Sequence, residues 1–512
     1  MKLNELLENV EIVSPIYDTD IDDICTDPSQ LKENSLFLIT GEGRYKMVPY
    51  TSNMLQSAIL KHTGFILWDS ENWPKHEDGQ ESYRYIHVKH YRKSCAQICS
   101  NFYGQPSKNL LMIGVTGTNG KTSTTYIIER ILEFSKLYRP LLIGTLDTRC
   151  CSVKLYPSYT TPYCDVIQKL LRTAVDQYHA DSAIMEVSAR GLDQERVGSI
   201  AFDVSICTNL TPDHLGYHGT FDQYRQAKTI LFEELAKSFA IINGDDDNAQ
   251  HFIDKAKKIV KVITYGIARN DDTDIYASNI QLNIHCLKFD INISTTNIAE
   301  HIHIPFLIGK TNVYNSLAAL ACAHLALNIP LDICKNALVT MPPISGRLEF
   351  VTERQDPITV IIDSAHTPDS FKEILNTIRD CAMATNKLIC LFGCPGKTSR
   401  ANYLHMTTIA QQLSDKVIIT TDDTTSENPK QLIEELLPGF SSTSDSNDNV
   451  IVEIDRREAI KKAILSITQD GDILVILGKR FNISQMLESR MIDFDDRTIV
   501  KECIQQRIQH NS

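Results

Sequence analysis

The sequence predicts an α/β protein in three parts, residues 1–108, 109–345 and 346–512. Three observations predict it. Short apolar runs bounded by polar turns alternate with helical stretches over most of the chain. One run, Leu110 to Val115, breaks into a glycine-bearing turn and then a helical pattern from Ser123 to about Phe134. Beyond Pro342-Pro-Ile-Ser-Gly-Arg347, strand-like runs recur about 30 to 55 residues apart, which leaves room for crossover helices and a doubly wound, Rossmann-like sheet.

Taken in order, residues 1–108 hold short mixed elements such as Ser35-Leu-Phe-Leu-Ile-Thr and Gly64-Phe-Ile-Leu-Trp, with polar breaks such as Asp69-Ser-Glu-Asn-Trp-Pro-Lys between them. They predict a small α/β domain and by themselves no function. In the second part Ala183-Ile-Met-Glu-Val, Val204-Ser-Ile-Cys-Thr and Ala240-Ile-Ile-Asn-Gly read as buried parallel strands. Residues 275–294 alternate instead, as a small side sheet with one wet face would. Asn312 to Leu327 reads as an alanine-rich buried helix. In the third part Thr359-Val-Ile-Ile-Asp, Leu388-Ile-Cys-Leu-Phe-Gly, Lys416-Val-Ile-Ile-Thr and Asp472-Ile-Leu-Val-Ile-Leu-Gly are the strand runs, and Ser441 to Asn449 is a solvated loop.

A length of 512 residues exceeds what one core supports. The formal charge of -13 opposes a nucleic-acid binder that works by neutralising phosphates. No apolar run is long enough to span a bilayer. The first residues, Met1-Lys-Leu-Asn-Glu-Leu-Leu-Glu, carry acids where a signal peptide would be basic and then apolar. The fourteen cysteines are scattered without a Cys-x-x-Cys, which signals neither a disulfide framework nor a zinc site. A reducing cytoplasm fits best.

The chemistry centres on Leu111-Met-Ile-Gly-Val-Thr-Gly-Thr-Asn-Gly-Lys-Thr122. Gly117 and Gly120, framing Thr118 and Asn119, let backbone N–H groups approach phosphate oxygens, and the helix that follows adds its positive dipole end. Lys121 supplies a point charge for the outer phosphates, and the Thr122 hydroxyl can reach a magnesium ion. This is a phosphate-binding loop one glycine shorter than the usual pattern, with Val115 where that pattern has glycine. The chain is expected to bind a nucleoside triphosphate. Glu186 ends a strand at the carboxyl edge where α/β sheets place ligands, and His214, after the next strand, should reach the same crevice. Both suit a magnesium-nucleotide site. Taken alone, Glu186 is equally well explained as a capping or salt-bridged acid, Lys228 as a helix-surface lysine, and His218 as structural.

Thr116-Gly-Thr-Asn-Gly-Lys-Thr122, Met185-Glu-Val-Ser188, Asn209-Leu-Thr-Pro-Asp-His-Leu-Gly-Tyr-His-Gly219, Ser345-Gly-Arg-Leu-Glu349 and Ile362-Asp-Ser-Ala-His-Thr-Pro-Asp369 resemble, in order and spacing, the Mur ligase family. Within it the likeness is to the branch that adds the third residue of the peptidoglycan stem. The resemblance is strong from about Phe102 to Glu373, weaker before and patchy after. It implies a three-domain architecture and an ATP-dependent ligase that uses two Mg2+ ions. Its substrates would be UDP-N-acetylmuramyl-dipeptide and a free amino acid, and the enzyme a monomer. It further implies that Lys228 is carbamylated and helps hold the second metal, with Thr122, Glu186 and His214 arranging the ions and γ-phosphate. By the same resemblance Asn312, Arg347, Asp363 and His366 face the nucleotide, and Thr160, Thr161, Ser188, Gln194 and Arg196 contact the muramyl dipeptide. The implied reaction is phosphorylation of the peptide carboxylate by ATP, then attack of an amine on the acyl phosphate.

The chain departs from the family where the incoming amino acid is chosen. Asp422-Asp-Thr-Thr425 stands where diaminopimelate-adding relatives have Asp-Asn-Pro-Arg, and Gly478-Lys-Arg-Phe-Asn482 where they have Gly-Lys-Gly-His-Glu. Cys394-Pro-Gly-Lys-Thr-Ser-Arg400 and Asn402-Tyr-Leu404 replace another arginine-bearing loop, which puts Thr425 and Tyr403 where arginines would grip a distal carboxylate. The expectation drawn from this is that the third part does not select meso-diaminopimelate, and that Asp422 and Asp423 leave room for a cationic amino acid. Asp27-Pro-Ser29 before Asn34-Ser-Leu-Phe37 departs from the family's uridine-contacting pattern. Two other classes stay open: a ligase of this family diverted to another acyl donor or amine acceptor, and a non-catalytic nucleotide-binding regulator.

Overall fold

A computed structural model describes residues 1–13, 18–26, 32–38, 64–69, 85–156, 159–268, 273–294, 298–393, 395–396, 400–440, 449–478, 484–487 and 490–511. Asp27 to Ser29, residues 70–75, the loop 441–448 and Asn482 lie outside them. The chain divides into two compact units. One comprises Met1–Tyr276, Ile293–Ile298 and Tyr314–Ala337; the other comprises Ala277–Asn292, Ala299–Val313 and Leu338–Ser512.

In the first unit, four short strands, β1 (Asp23–Cys25), β2 (Ser35–Phe37), β3 (Phe65–Asp69) and β4 (Tyr85–Val88), pair in parallel in that order. The helix Tyr91–Phe102 buries Cys95, Ile98 and Cys99 in a core with Leu36, Phe37, Leu67 and Trp68. These strands and this helix have the mixed α/β character expected of the first part.

The larger sheet of the same unit contains β5 (Leu111–Thr116), β6 (Pro140–Ile143), β7 (Thr148–Cys150), β8 (Val153–Tyr156), β9 (Ser182–Glu186), β10 (Phe202–Cys207), β11 (Ala236–Asn243) and β12 (Lys261–Gly266), ordered β12-β11-β10-β5-β9-β6-β7-β8. From β12 to β6 every pairing is parallel. Both faces of such a sheet are covered by helices, which is why its strands are unbroken apolar runs. The antiparallel hairpin β7–β8 at the edge was not anticipated, because its residues carry no run long enough to announce it. Helix starts follow local chemistry. Thr220 and Gln223 cap Phe221–Glu233 reciprocally as a capping box.

Residues 275–294 form the expected alternating strands, β13 (Ile275–Asn283) and β14 (Cys286–Ile293), joined by an unexpected third, β15 (Ile298–Pro305). The helix expected over 312–327 is Lys310–Leu320, running on into π-helical turns over Ala321–Ala326.

In the second unit, β16 (Glu349–Phe350), β17 (Thr359–Asp363), β18 (Leu388–Phe392), β19 (Lys416–Ile419), β20 (Val450–Val452) and β21 (Ile473–Leu477) are ordered β16-β17-β21-β18-β19-β20. All pairings but β16–β17 are parallel. Alternate residues enter two separate cores: Leu388, Cys390 and Phe392 one, Ile389 and Leu391 the other. The sheet is therefore covered on both faces, as a doubly wound domain requires. Among the described residues no helix is long and apolar enough to cross a membrane.

Candidate functional site

Four neighbouring parallel strands, β10, β5, β9 and β6, end at the same edge of the larger sheet, and the segments leaving them build the site. After β5 the chain turns through Gly117 at φ 146° and Gly120 at φ 84°, backbone that L side chains rarely adopt. Space excludes them too. A Cβ on Gly117 would collide with Thr208 Oγ1, and one on Gly120 with Asn315 Oδ1. The helix Lys121–Ser135 starts at Gly120 with no side-chain cap, which leaves its positive end suited to a phosphate.

The segment after β10 clamps the loop. Thr118 N donates to Asn209 O at 3.0 Å, Asn119 N to Asn209 Oδ1 at 2.9 Å, and Thr208 Oγ1 to Asn119 O at 2.6 Å. Lys121 Nζ donates to the loop's own carbonyls, Gly117 O at 2.7 Å and Thr118 O at 2.8 Å. Gly117 O also accepts from Lys228 Nζ at 2.8 Å. Lys228 is 1% exposed and lies 4.7 Å from the centre of the Tyr224 ring. Burial, reinforced by the charge of Lys121, holds its pKa well below the usual lysine range. The helix-surface alternative for Lys228 is thereby excluded.

Glu186, at the end of β9, organises the other side. Its Oε1 accepts from Thr122 Oγ1 at 3.0 Å and Thr145 N at 2.8 Å, and its Oε2 from Thr145 Oγ1 at 2.9 Å. Thr145 Oγ1 lies 2.9 Å from Thr160 Oγ1. Thr145 escaped the sequence reading, although Gly144-Thr145 follows β6 at the same sheet edge and that position is the signal that could have found it. Thr161 joins the row: its hydroxyl lies 2.9 Å from Glu186 O and 3.1 Å from Ser188 Oγ. Ser188 caps the turn Ala189–Asp193 by accepting from Gly191 N at 3.0 Å. Arg196 NH1 donates to Thr161 O at 2.6 Å, its Nε to Gln194 Oε1 at 2.9 Å, and its guanidinium stacks 4.1 Å from the centre of the Tyr163 ring. Thr160, Thr161, Ser188, Gln194 and Arg196 therefore form one connected group beside Glu186.

His214 has φ 53° and a largely exposed ring 3.5 Å from Asp213 Oδ2. Partial desolvation lowers its pKa, and Lys121 and Lys228 lower it further against the opposing Asp213. His218 is buried between Tyr217 and Tyr224, a packing role as expected. Thr122 and Glu186 are hard oxygen donors of the kind magnesium takes. Among the described residues no three His, Cys, Asp or Glu side chains gather to hold a metal, and Mg2+ normally completes its shell with substrate phosphates and water. The donors present fit that ion.

Three of the nucleotide-facing candidates of the second unit, Arg347, Asp363 and His366, gather around the turn after β17. Asp363 is buried and accepts from Leu348 N and Ala365 N, each at 2.8 Å. Burial raises its pKa, against Arg347. Arg347 NH1 donates to Ser364 Oγ at 3.0 Å, and His366 Nδ1 lies 2.9 Å from Ser364 O. Asn312 is buried with its amide on Ile308 O at 2.9 Å. Asn315, which the sequence reading missed, packs against Gly120 and accepts from Thr124 Oγ1 at 3.3 Å. It lies three residues on, along the same helix face as Asn312, and that spacing was the available signal.

Around Asp422 one expectation fails. Tyr403 is fully buried and its hydroxyl donates to Pro395 O, so it packs the core and cannot line a substrate pocket. Arg400, at the start of the helix Arg400–Leu413, presents the guanidinium of this segment, paired with Glu427 and Glu435. Asp422 is buried, with Oδ1 accepting from Asp423 N at 2.7 Å and Oδ2 without a partner among the described residues. A Cβ on Gly478, at φ 99°, would lie 2.9 Å from that oxygen. Burial lifts the Asp422 carboxyl to about 6 despite Arg456. Asp423 Oδ1 accepts from Met486 N at 3.0 Å, and Thr425 has φ 58° with its hydroxyl buried and without a partner among the described residues.

A shortened phosphate loop clamped by the next strand, a carboxylate holding the loop threonine and a doubly wound sheet in the other unit define an α/β protein of the phosphate-loop class. Residues 115–323 match the Mur ligase middle domain and residues 346–480 the Mur ligase glutamate ligase domain. The UDP-N-acetylmuramoyl-L-alanyl-D-glutamate–2,6-diaminopimelate ligase of Clostridium botulinum is 38% identical over 422 residues, 82% of this chain and 83% of that one. The Clostridium tetani enzyme of the same name is 35% identical over 515 residues, 99% of this chain and 100% of that one. A solved structure of a ligase with that name superposes with a TM-score of 0.69 at 25% identity, covering 100% of both chains. The chain belongs to the Mur ligase family, whose members are ATP- and Mg2+-dependent amide-forming ligases of peptidoglycan precursor synthesis. Both relatives are named for diaminopimelate, and this overturns the expectation that the third part rejects that amino acid.

Proposed function

We propose that this protein joins 2,6-diaminopimelate to a carboxylate of UDP-N-acetylmuramoyl-L-alanyl-D-glutamate with cleavage of ATP, its three domains being 1–108, 109–345 and 346–512. The observation that carries the reading is the hydrogen-bonded row Thr122–Glu186–Thr145–Thr160, together with a buried Lys228 held on the carbonyl of Gly117 in the phosphate loop. In this reading Lys121 leaves the loop carbonyls for the β- and γ-phosphates. Thr122, Glu186 and His214 arrange magnesium, which when bound cancels the charge of carboxylate and phosphate as they meet.

The reaction runs in two steps. A carboxylate oxygen attacks the γ-phosphorus and ADP leaves, giving an acyl phosphate. The amine then attacks the acyl carbon, loses a proton, and phosphate leaves. Burial, reinforced by Lys121, favours the uncharged form of the Lys228 amine; that form could add carbon dioxide and release a proton, and the carbamate would supply a further oxygen anion to hold magnesium. Thr160, Thr161, Ser188, Gln194 and Arg196 hold the muramyl peptide. Asn312, Arg347, Asp363 and His366 face the nucleotide. Arg400, Asp422, Asp423, Thr425 and Gly478 frame the amino acid.

Phosphate release tests the reading. It should require the UDP-muramyl dipeptide and an amino acid together. In a mixture of equal diaminopimelate, lysine, ornithine, serine and alanine, the product mass should report diaminopimelate. Lys121→Ala should fold and release no phosphate. Release independent of the dipeptide, or full activity of Lys121→Ala, would remove the assignment.

A further inference from the structure

A cavity of about 370 Å³ lies wholly within the second compact unit, between the face of β13–β15 and the segment 350–359. Nothing in the ligase reaction uses it. Its floor is apolar, with Phe306 and Phe350 ring centres 6.1 Å apart at 57°. Its rim is basic, with Lys288, Arg354, His285 and His303. Among the described residues neither Lys288 nor Arg354 forms an ion pair with the protein, and one acid, Glu353, shares the lining.

The surplus positive charge registers on the imidazoles. Burial lowers the pKa of His285, and Arg354 lowers it further; burial, Lys288, His301 and Arg354 do the same at His303. The alternation of β14 and β15 explains how the rim arises: Lys288 and His303 fall on the wet face of a sheet whose other face is core. Phe306 adds a second, independent sign. It holds φ 60°, a conformation unfavourable for a bulky residue, and its N–H reaches His285 O at 3.4 Å. Backbone strain of this kind persists where the surroundings impose it, and it collects at ligand sites. Here it sets the ring at the floor of the cavity.

We propose that this cavity is a second ligand site, separate from the ligase centre, that binds a small organic anion carrying an aromatic ring. The ring lies against Phe306 and Phe350, and the phosphate or carboxylate is held by Lys288 and Arg354. The size fits pockets that enclose small ligands, and paired aromatic and guanidinium groups recognise such molecules.

The test is calorimetric titration of the full-length protein, with Mg–ADP saturating the phosphate loop. The probes are phenyl phosphate, benzoate and inorganic phosphate. Phenyl phosphate should bind one site, and the double variant K288A/R354A should weaken it by about a hundredfold, about tenfold per lost cation. The variant should retain the wild-type melting temperature and ligase activity, since neither residue takes part in the reaction. Benzoate binding at the same site shows that a carboxylate suffices; its failure assigns the site to phosphates. Phenyl phosphate that does not saturate, that binds K288A/R354A equally well, or that binds no better than inorganic phosphate overturns the proposal.

Discussion

Lys228 carries a fully buried amine that donates to a neutral carbonyl, Gly117 O at 2.8 Å. Its folded pKa lies below the ordinary value, while the unfolded chain titrates near about 10.4. Between those values the unfolded state binds a proton that the folded state lacks, so this group makes stability rise with pH and contributes its full share only above the unfolded pKa. Lys228→Met, assayed in carbon-dioxide-free buffer at pH 7, should therefore be more stable by about 1–4 kcal/mol, with ligation lost. Lys228→Ala should be nearly inactive and partly restored by a short carboxylic acid. A lower melting temperature for the methionine variant would contradict the burial argument, and full activity of the alanine variant in that buffer would contradict the carbamate. Asp422 has the opposite sign. Its carboxyl titrates at about 6 in the fold and about 3.9 unfolded, so it contributes stability below about pH 4 that is lost as pH rises through 6. The ceiling is about 3 kcal/mol. Asp422→Asn should flatten that part of the stability profile relative to wild type, read by denaturant melts at pH 4, 5, 6 and 8, and an unchanged difference across the series would refute it.

At the scale of elements, Arg456 ties the end of β19 to the last helix. It makes a bidentate pair with Asp496 at 2.9 and 2.8 Å and donates to Thr421 O at 3.2 Å, all buried. Asp496→Ala removes the bidentate partner of that buried guanidinium and should cost about 3–5 kcal/mol, measured as a lower urea midpoint. An exposed pair would lose under about 1 kcal/mol, and a loss that small would show that Arg456 finds water instead. The parallel strands were legible because burial on both faces makes them unbroken apolar runs: β5, β9, β10 and the four long strands of the third part were all read from that signal. β7, β8 and β15 were not, since a hairpin at a sheet edge and a strand of alternating His and Ile carry no such run. The phosphate loop was legible because its glycines are demanded by backbone geometry. Thr145 and Asn315 were not, because their importance arises only where separate strands converge. Tyr403 read as a pocket residue because spacing along the chain carries no sign of burial, and its side chain belongs to the core.

Over the whole molecule, Mur ligase domains match both the glycine-loop sheet and the doubly wound sheet, and diaminopimelate ligases align along nearly the full chain. The central claim is that the protein activates a peptide carboxylate with ATP and delivers it to an amine. The most direct measurement uses UDP-muramyl dipeptide labelled with 18O in its carboxylates, incubated with Mg–ATP and diaminopimelate. If an acyl phosphate forms and is displaced, one 18O passes into the released phosphate, and the peptide gains one diaminopimelate residue. Unlabelled phosphate, or a peptide of unchanged mass while ATP is consumed, would contradict the account.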